Sequence, residues 1–158
     1  MAEIENQLQL VTFQLGNEKY GIDIMEVKEI VRNQEVRPIP NAPAWVQGLI
    51  NLRGKIIPII DLHERFQITK LAADEEDADP GGIMVVTVGG KDLGIVIDRI
   101  LRVLGIDSSD LQPPPQMMSG IGSEYIQNVV SGEEGYLIIL NTRRLFNSRE
   151  LQSLSALA

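Results

Sequence analysis

The chain is predicted to be mainly β, folded as two related halves that each close into a small barrel. Three observations carry this: short β-branched runs punctuated by turn residues, an internal repeat, and a core that must be aliphatic. Aromatic residues make up only 4% of the 158 residues, while hydrophobic residues make up 44%. Ile, Val and Leu dominate the apolar runs, and β-branched side chains favour strands. This length suits one ordinary domain or two small subdomains sharing a core.

Residues 8–15 alternate, with Val11, Phe13 and Leu15 on one face and Thr12 and Gln14 on the other. That is the period of a half-buried strand. Gly16 to Lys19 reads as a turn, and Tyr20 to Ile24 completes a hairpin. Residues 25–32 are ambiguous. Val27, Ile30 and Val31 suit a helical face, whereas Val27, Glu29 and Val31 alternate; the β-branched content favours a kinked strand. Pro38, Pro40 and Pro43 interrupt the chain, and Ala44 to Val46 reads as one helical turn. Residues 48–53 and 55–60 form a second hairpin around Arg53-Gly54, and Asp61 is the expected N-cap of a short turn ending near Phe66.

Residues 67–82 read as an acidic surface linker, with Asp74, Glu75, Glu76, Asp77 and Asp79 closed off by Pro80, Gly81 and Gly82. The spaced ligands and central Gly of a Ca²⁺ loop are missing, so a solvated connection is expected.

The pattern then restarts. Gly16, Gly21, Ile22, Ile24 and Val27 match Gly89, Gly94, Ile95, Ile97 and Ile100 at a constant offset of 73 (89 less 16). Further on, Trp45, Val46, Gln47, Leu49, Ile50, Ile59 and Phe66 match Tyr125, Ile126, Gln127, Val129, Val130, Ile139 and Phe146 at an offset of 80 (125 less 45). The added residues belong near Leu111 to Met118, where Pro113-Pro114-Pro115 rules out regular structure. Matched blocks in one order argue for duplication. Each half offers about five short strands, which suits a closed barrel without free edges. The expected organisation is a first barrel over 8–66, the linker over 67–82, a second barrel over 83–146, and a helix over 147–158 packed on one barrel. Ser148 would cap that helix, with Leu151, Leu154 and Leu157 on one face.

Chemistry is sparse. The net charge of −8 disfavours nucleic acid as a partner. With no Cys there is no disulfide and no thiolate metal site. The N-terminus lacks the apolar region of a signal peptide, and runs such as Ile56 to Ile60 are too short to span a bilayer, so a cytoplasmic protein without membrane insertion is expected. The lone His63 sits in a polar turn and is expected on the surface. No G-x-S-x-G is present, and Gly120-Ile121-Gly122 lacks the third Gly of a phosphate loop. No catalytic residue, metal or cofactor is therefore expected. A small-ligand or cofactor-binding barrel, the rival reading, would need a polar constellation that the sequence does not offer.

Binding surface remains. Arg53, beside Gly54 at a hairpin tip, would project a donor fork. Met117-Met118 follows a Pro-rich stretch and could make adaptable contact. Val27 and Ile30, with Lys28 and Glu29 between them, offer either core packing or a groove between the halves.

The segments Tyr20-Gly-Ile-Asp-Ile24, Pro38-Ile-Pro-Asn-Ala-Pro43, Gly48-Leu-Ile-Asn-Leu-Arg-Gly54, Ile57-Pro-Ile-Ile-Asp-Leu62 and Gly94-Ile-Val-Ile-Asp98 resemble the bacterial chemotaxis coupling family CheW, in one register from about Leu8 to Phe146. The short flanks resemble a free-standing coupler rather than the regulatory domain of the kinase CheA or a CheV-type coupler with its receiver domain. The resemblance implies two SH3-like five-stranded barrels. It implies a non-catalytic adaptor between the cytoplasmic tips of methyl-accepting chemoreceptors and the regulatory domain of the histidine kinase CheA, recruited to membrane-bound receptor arrays. By motif position the receptor groove would include Val27, Glu29, Ile30, Gly48, Arg53, Gly94 and Ile100. Gln112, Gln116 and Met117 match a kinase-contact region in which relatives often carry a charge or an aromatic. A coupler in a parallel array that does not control motility would look the same.

Overall fold

Alternating apolar residues and Gly-rich turns define ten strands within the computed structural model, which describes residues 7–32, 34–66, 81–113, 125–132, 135–146, 149–150 and 152–153. These are β1 (Gln7–Leu15), β2 (Glu18–Asp23), β3 (Val27–Val31), β4 (Val46–Leu52), β5 (Lys55–Ile60), β6 (Gly82–Val88), β7 (Lys91–Ile97), β8 (Arg99–Asp107), β9 (Ile126–Gly132) and β10 (Gly135–Leu140). One short helix, α1 (Leu62–Phe66), follows β5, and its first turn is capped by Asp61, which accepts from the His63 amide at 2.9 Å. The fold is mainly β, as expected.

Segment 25–32 resolves as a strand. A 3₁₀ turn over Ile24–Glu26 leads into β3, whose register on β6 shifts between Val27 and Glu29. That irregularity explains the ambiguous spacing. It lets Val27 and Ile30, three residues apart, pack on the same core although the chain is extended. Ala44 to Val46 is not helical: the Val46 amide donates to the Pro43 carbonyl at 2.9 Å in a turn, and Val46 opens β4. The β4–β5 hairpin turns on Arg53 (φ 54) and Gly54 (φ 84), the paired positive φ of a type I′ turn.

The strands form two five-stranded sheets, ordered β8-β1-β2-β10-β9 and β3-β6-β7-β5-β4. Under the repeat, β1, β2, β3, β4 and β5 correspond to β6, β7, β8, β9 and β10, and this substitution turns one order into the other. The repeat is therefore a structural pseudo-twofold. It also corrects the expected boundaries. Neither 8–66 nor 83–146 is a barrel, because each half places its first hairpin in one sheet and its other three strands in the other. The exchange runs through two parallel pairings, β2 with β10 and β5 with β7. Among the described residues, each sheet is closed by one isolated bridge. Arg37 and Leu49 exchange N–H···O bonds of 2.8 and 2.9 Å, and Gln112 and Val129 exchange two of 2.9 Å.

Three apolar clusters follow from this topology. Leu10, Ile106 and Ile139 fill the β1-containing barrel. Ile50, Ile57, Ile59, Ile83 and Val85 fill the other. The largest cluster, including Phe13, Tyr20, Ile22, Met84, Val86 and Ile95, lies between the two sheets. Strand β1 shows why both its faces are buried: Leu10 points into its barrel and Val11, Phe13 and Leu15 into the shared core. Around that core the duplicated aromatics pair across the halves, Trp45 with Phe146 and Phe66 with Tyr125, both at 5.4 Å between centroids. The Arg65 guanidinium lies 4.8 Å from the Trp45 and Phe146 rings, and both of its terminal nitrogens donate to Glu150 at 2.9 Å. Residues 149–150 and 152–153 are helical, and this pair anchors them. The acidic run Asp74 to Asp79, together with Ser148, Leu151, Leu154 and Leu157, lies outside the described residues.

The interleaved sheets make a prediction. A chain cut between residues 66 and 81, with the two pieces co-expressed, is expected to elute from gel filtration as one folded complex, and either piece alone to be unfolded. A folded, monomeric 1–66 fragment would contradict the exchange.

Candidate functional site

Three of the expected contact residues reach the margin of the inter-sheet core. Val27 and Ile30 on β3 and Ile100 on β8 are half-buried and pack on the inter-sheet core. Val27 and Ile100 are repeat equivalents, so the same position of each half reaches the seam. Next to them Arg53, at the positive-φ hairpin tip, donates from Nη1 to Glu29 Oε2 at 2.8 Å. The Arg53 side chain is 74% exposed and that of Glu29 24%, so the pair contributes only about 0–1 kcal/mol and is cheap to exchange for a partner's charges. Beside it, the Lys28 and Lys55 ammonium groups donate to Asp92 Oδ2 at 2.8 and 2.7 Å, and Thr87 donates to the other oxygen at 2.9 Å. Burial alone would raise the Asp92 carboxyl, but the hydrogen bonds from Lys28, Lys55 and Thr87 and the charge of Lys55 outweigh it and hold it at about 2.

The other expected contact positions fall elsewhere. Gly48 and Gly94 are buried. A Cβ on Gly94 would stand 2.5 Å from Ile59 Cδ1 and 2.8 Å from Ile83 Cγ2, inside the barrel, and one on Gly48 would run into the Arg37 carbonyl. Both glycines allow the barrel to pack and offer no surface of their own. Gln112 is exposed, and its backbone forms the bridge to Val129. Gln116 and Met117 lie outside the described residues.

One group escaped the sequence reading. His63 is not on the surface but only 3% exposed. Its Nδ1 lies 2.9 Å from Asp61 Oδ1 and its Nε2 2.8 Å from Asp98 Oδ2. The same Asp98 oxygen accepts from the Gly16 amide at 2.7 Å, so the ring ties the end of β5 to the β1–β2 turn of the other barrel. Burial opposes the charged ring, yet the hydrogen bonds to Asp61 and Asp98 and their charges prevail and raise its pKa. Ionised carboxylates only accept, so the protonated ring can donate to Asp61 from one nitrogen and to Asp98 from the other. The available signal was the two strands ending in Ile-Asp, Ile60-Asp61 and Ile97-Asp98.

The two-barrel architecture and its seam can now be set beside known proteins. The chain matches the CheW-like domain over residues 9–150. It belongs to the CheW family. The chemotaxis protein CheW of Treponema pallidum (strain Nichols) is 54% identical over 157 residues, covering 99% of this chain and 92% of that protein. CheW of Klebsiella aerogenes is 34% identical over 143 residues, covering 90% and 84%. The crystal structure of the scaffolding protein TtCheW from Thermoanaerobacter tengcongensis superposes with a TM-score of 0.79 at 34% identity, covering 89% of this chain and 92% of that one. Membership of the CheW family accounts for two SH3-like subdomains. Among the described residues no helix is long and apolar enough to cross a membrane.

Proposed function

We propose that this CheW-family chain is a non-catalytic chemotaxis adaptor that couples the cytoplasmic tips of chemoreceptors to the histidine kinase CheA within membrane-bound arrays. The observation that carries the reading is the seam: Val27, Ile30 and Ile100 half-buried at the margin of the shared core, with the exposed Arg53–Glu29 pair beside them. An amphipathic helix laid along such a seam buries its apolar face on the three aliphatic side chains and meets the ion pair with its polar flank. Gln112, Gln116 and Met117 would face the kinase's regulatory domain. Modest individual contacts suffice, because an array multiplies them.

Arg53→Ala is expected to weaken binding of a receptor cytoplasmic fragment about tenfold, equivalent to about 1.4 kcal/mol. The melting temperature should stay within about 2 °C, since an exposed ion pair adds little stability. Calorimetric titration reads the first and a thermal melt the second. Unchanged receptor affinity in a folded variant would sink the assignment.

A further inference from the structure

The apolar part of the seam is shared by both halves, but its charged neighbourhood is not. Val27 and Ile100 are repeat equivalents, whereas the repeat places Leu101 where Lys28 stands (101 less 73) and Gly135 where Lys55 stands (135 less 80). The lysine pair therefore belongs to the β3 side alone. Its two ammonium groups donate to the same oxygen, Asp92 Oδ2, at 2.8 and 2.7 Å, and Thr87 donates to the other oxygen at 2.9 Å. The Asp92 side chain is only 6% exposed, while those of Lys28 and Lys55 are 51% and 60% exposed. A buried carboxylate, ionised at neutral pH, thus fixes two half-exposed cations side by side. An ammonium has three donors, and among the described residues each of these two gives only one, to Asp92. Two cations on one anion leave an excess positive charge on a chain of net charge −8, beside an Arg53–Glu29 pair that is already neutral.

We infer that Lys28 and Lys55 form a specificity-determining site for a carboxylate side chain on the polar flank of the partner helix, with Asp92 as the residue that positions them. The site depends on the receptor reading above and adds what that helix must carry: an acidic residue beside its apolar face. Continuity along β3 favours this occupant. Lys28 lies between Val27 and Ile30, on which the apolar face would pack. A flank residue three or four positions from an apolar one lies next to it on a helix surface and so comes over the lysines. Size favours a side chain over a free ligand. The cleft bordered by Lys28, Glu29, Arg53, Lys55 and Asp92 encloses about 190 Å³. Small-molecule sites enclose about 300–1,000 Å³. Charge selects the sign, since a carboxylate can accept the unused N–H groups of both ammoniums without displacing Asp92. Leu101 and Gly135 offer no such donors, so the acidic part of the helix is directed to the β3 side of a seam whose apolar residues come from both halves.

The test is a calorimetric titration of the full chain with a receptor cytoplasmic fragment in about 0.05 M salt. Lys28→Gln and Lys55→Gln are each expected to weaken binding about threefold, and the double variant about tenfold. Each single variant leaves Asp92 one cation and Thr87, and so keeps its fold. The difference between the parent and the double variant should vanish in about 0.5 M salt, which a loss through packing would not. Changing the exposed Glu and Asp of the fragment to Lys one at a time should reveal a position whose lost affinity is restored by Lys28→Glu or Lys55→Glu. No binding by the parent chain would overturn the receptor reading and this site with it. Full affinity in the double variant, while Arg53→Ala still weakens binding, would overturn this site alone. So would a loss that persists at high salt, the lack of any rescued acidic position, or a loss confined to binding of the kinase's regulatory domain.

Discussion

His63→Leu is expected to lower stability by about 3–5 kcal/mol, because it leaves the Asp61 and Asp98 carboxylates at a buried site without their counter-charge. For a chain of this size that is a fall of roughly 10 °C in melting temperature. The pH dependence carries a sharper signature. The ring's pKa is raised in the folded state, so its contribution is fully present below the unfolded value of 6.5 and is lost as pH rises through the folded value. Urea denaturation of the parent between pH 6 and pH 9 should therefore show a decline that His63→Leu lacks. Parallel curves for the two proteins would show that the ring is not charged in the native state. Because His63 reaches Asp61 after β5 and, through Asp98, Gly16 between β1 and β2, the destabilisation should reach both barrels together.

Gly48→Ala is the second large effect. Gly48 sits at φ 154, and an added Cβ would collide with the backbone carbonyl of Arg37. That carbonyl accepts from the Leu49 amide at 2.9 Å in the bridge that closes the barrel. The methyl group thus meets strain and breaks the closure at once. A cost of about 3 kcal/mol or more is expected. Gly105→Ala on β8 is the control: a Cβ there meets nothing within 4 Å, and its stability should change by less than about 0.5 kcal/mol. Hydrogen exchange at the Leu49 amide should report the opened bridge in Gly48→Ala. A melt within about 2 °C of the parent would refute the mechanism. The contrast with Arg53→Ala matters for function. Both positions belong to the expected receptor set, yet one would lose binding through the fold and the other through the contact.

Much of this molecule was legible from its residues. The alternation of Val11, Phe13 and Leu15 located β1, Arg53-Gly54 located a hairpin turn, and Asp61 located a helix cap, because each depends on neighbours a few positions away. The match of Trp45 with Tyr125 and of Phe66 with Phe146 revealed the duplication, and the collinear motifs revealed the kinship. Val27 and Ile30 were half legible: their spacing of three hid a strand, since a register shift mimics a helical interval. His63 was misread because a polar turn in sequence can be roofed by a distant strand end, and Asp98 lies 35 residues away.

Strand positions, turn chemistry, duplication and family follow from local order along the chain. Which strands join which sheet does not. Each half carries the same five-strand pattern, and nothing in that pattern distinguishes pairing within a half from pairing across halves. The parallel contacts of β2 with β10 and of β5 with β7 settle it, and such contacts between distant residues arise only when both halves bury their faces on one core. The same holds for the sites. The chemistry of Val27, Ile30 and Ile100 is a property of each residue, but the seam exists because the exchanged strands bring both halves onto one core.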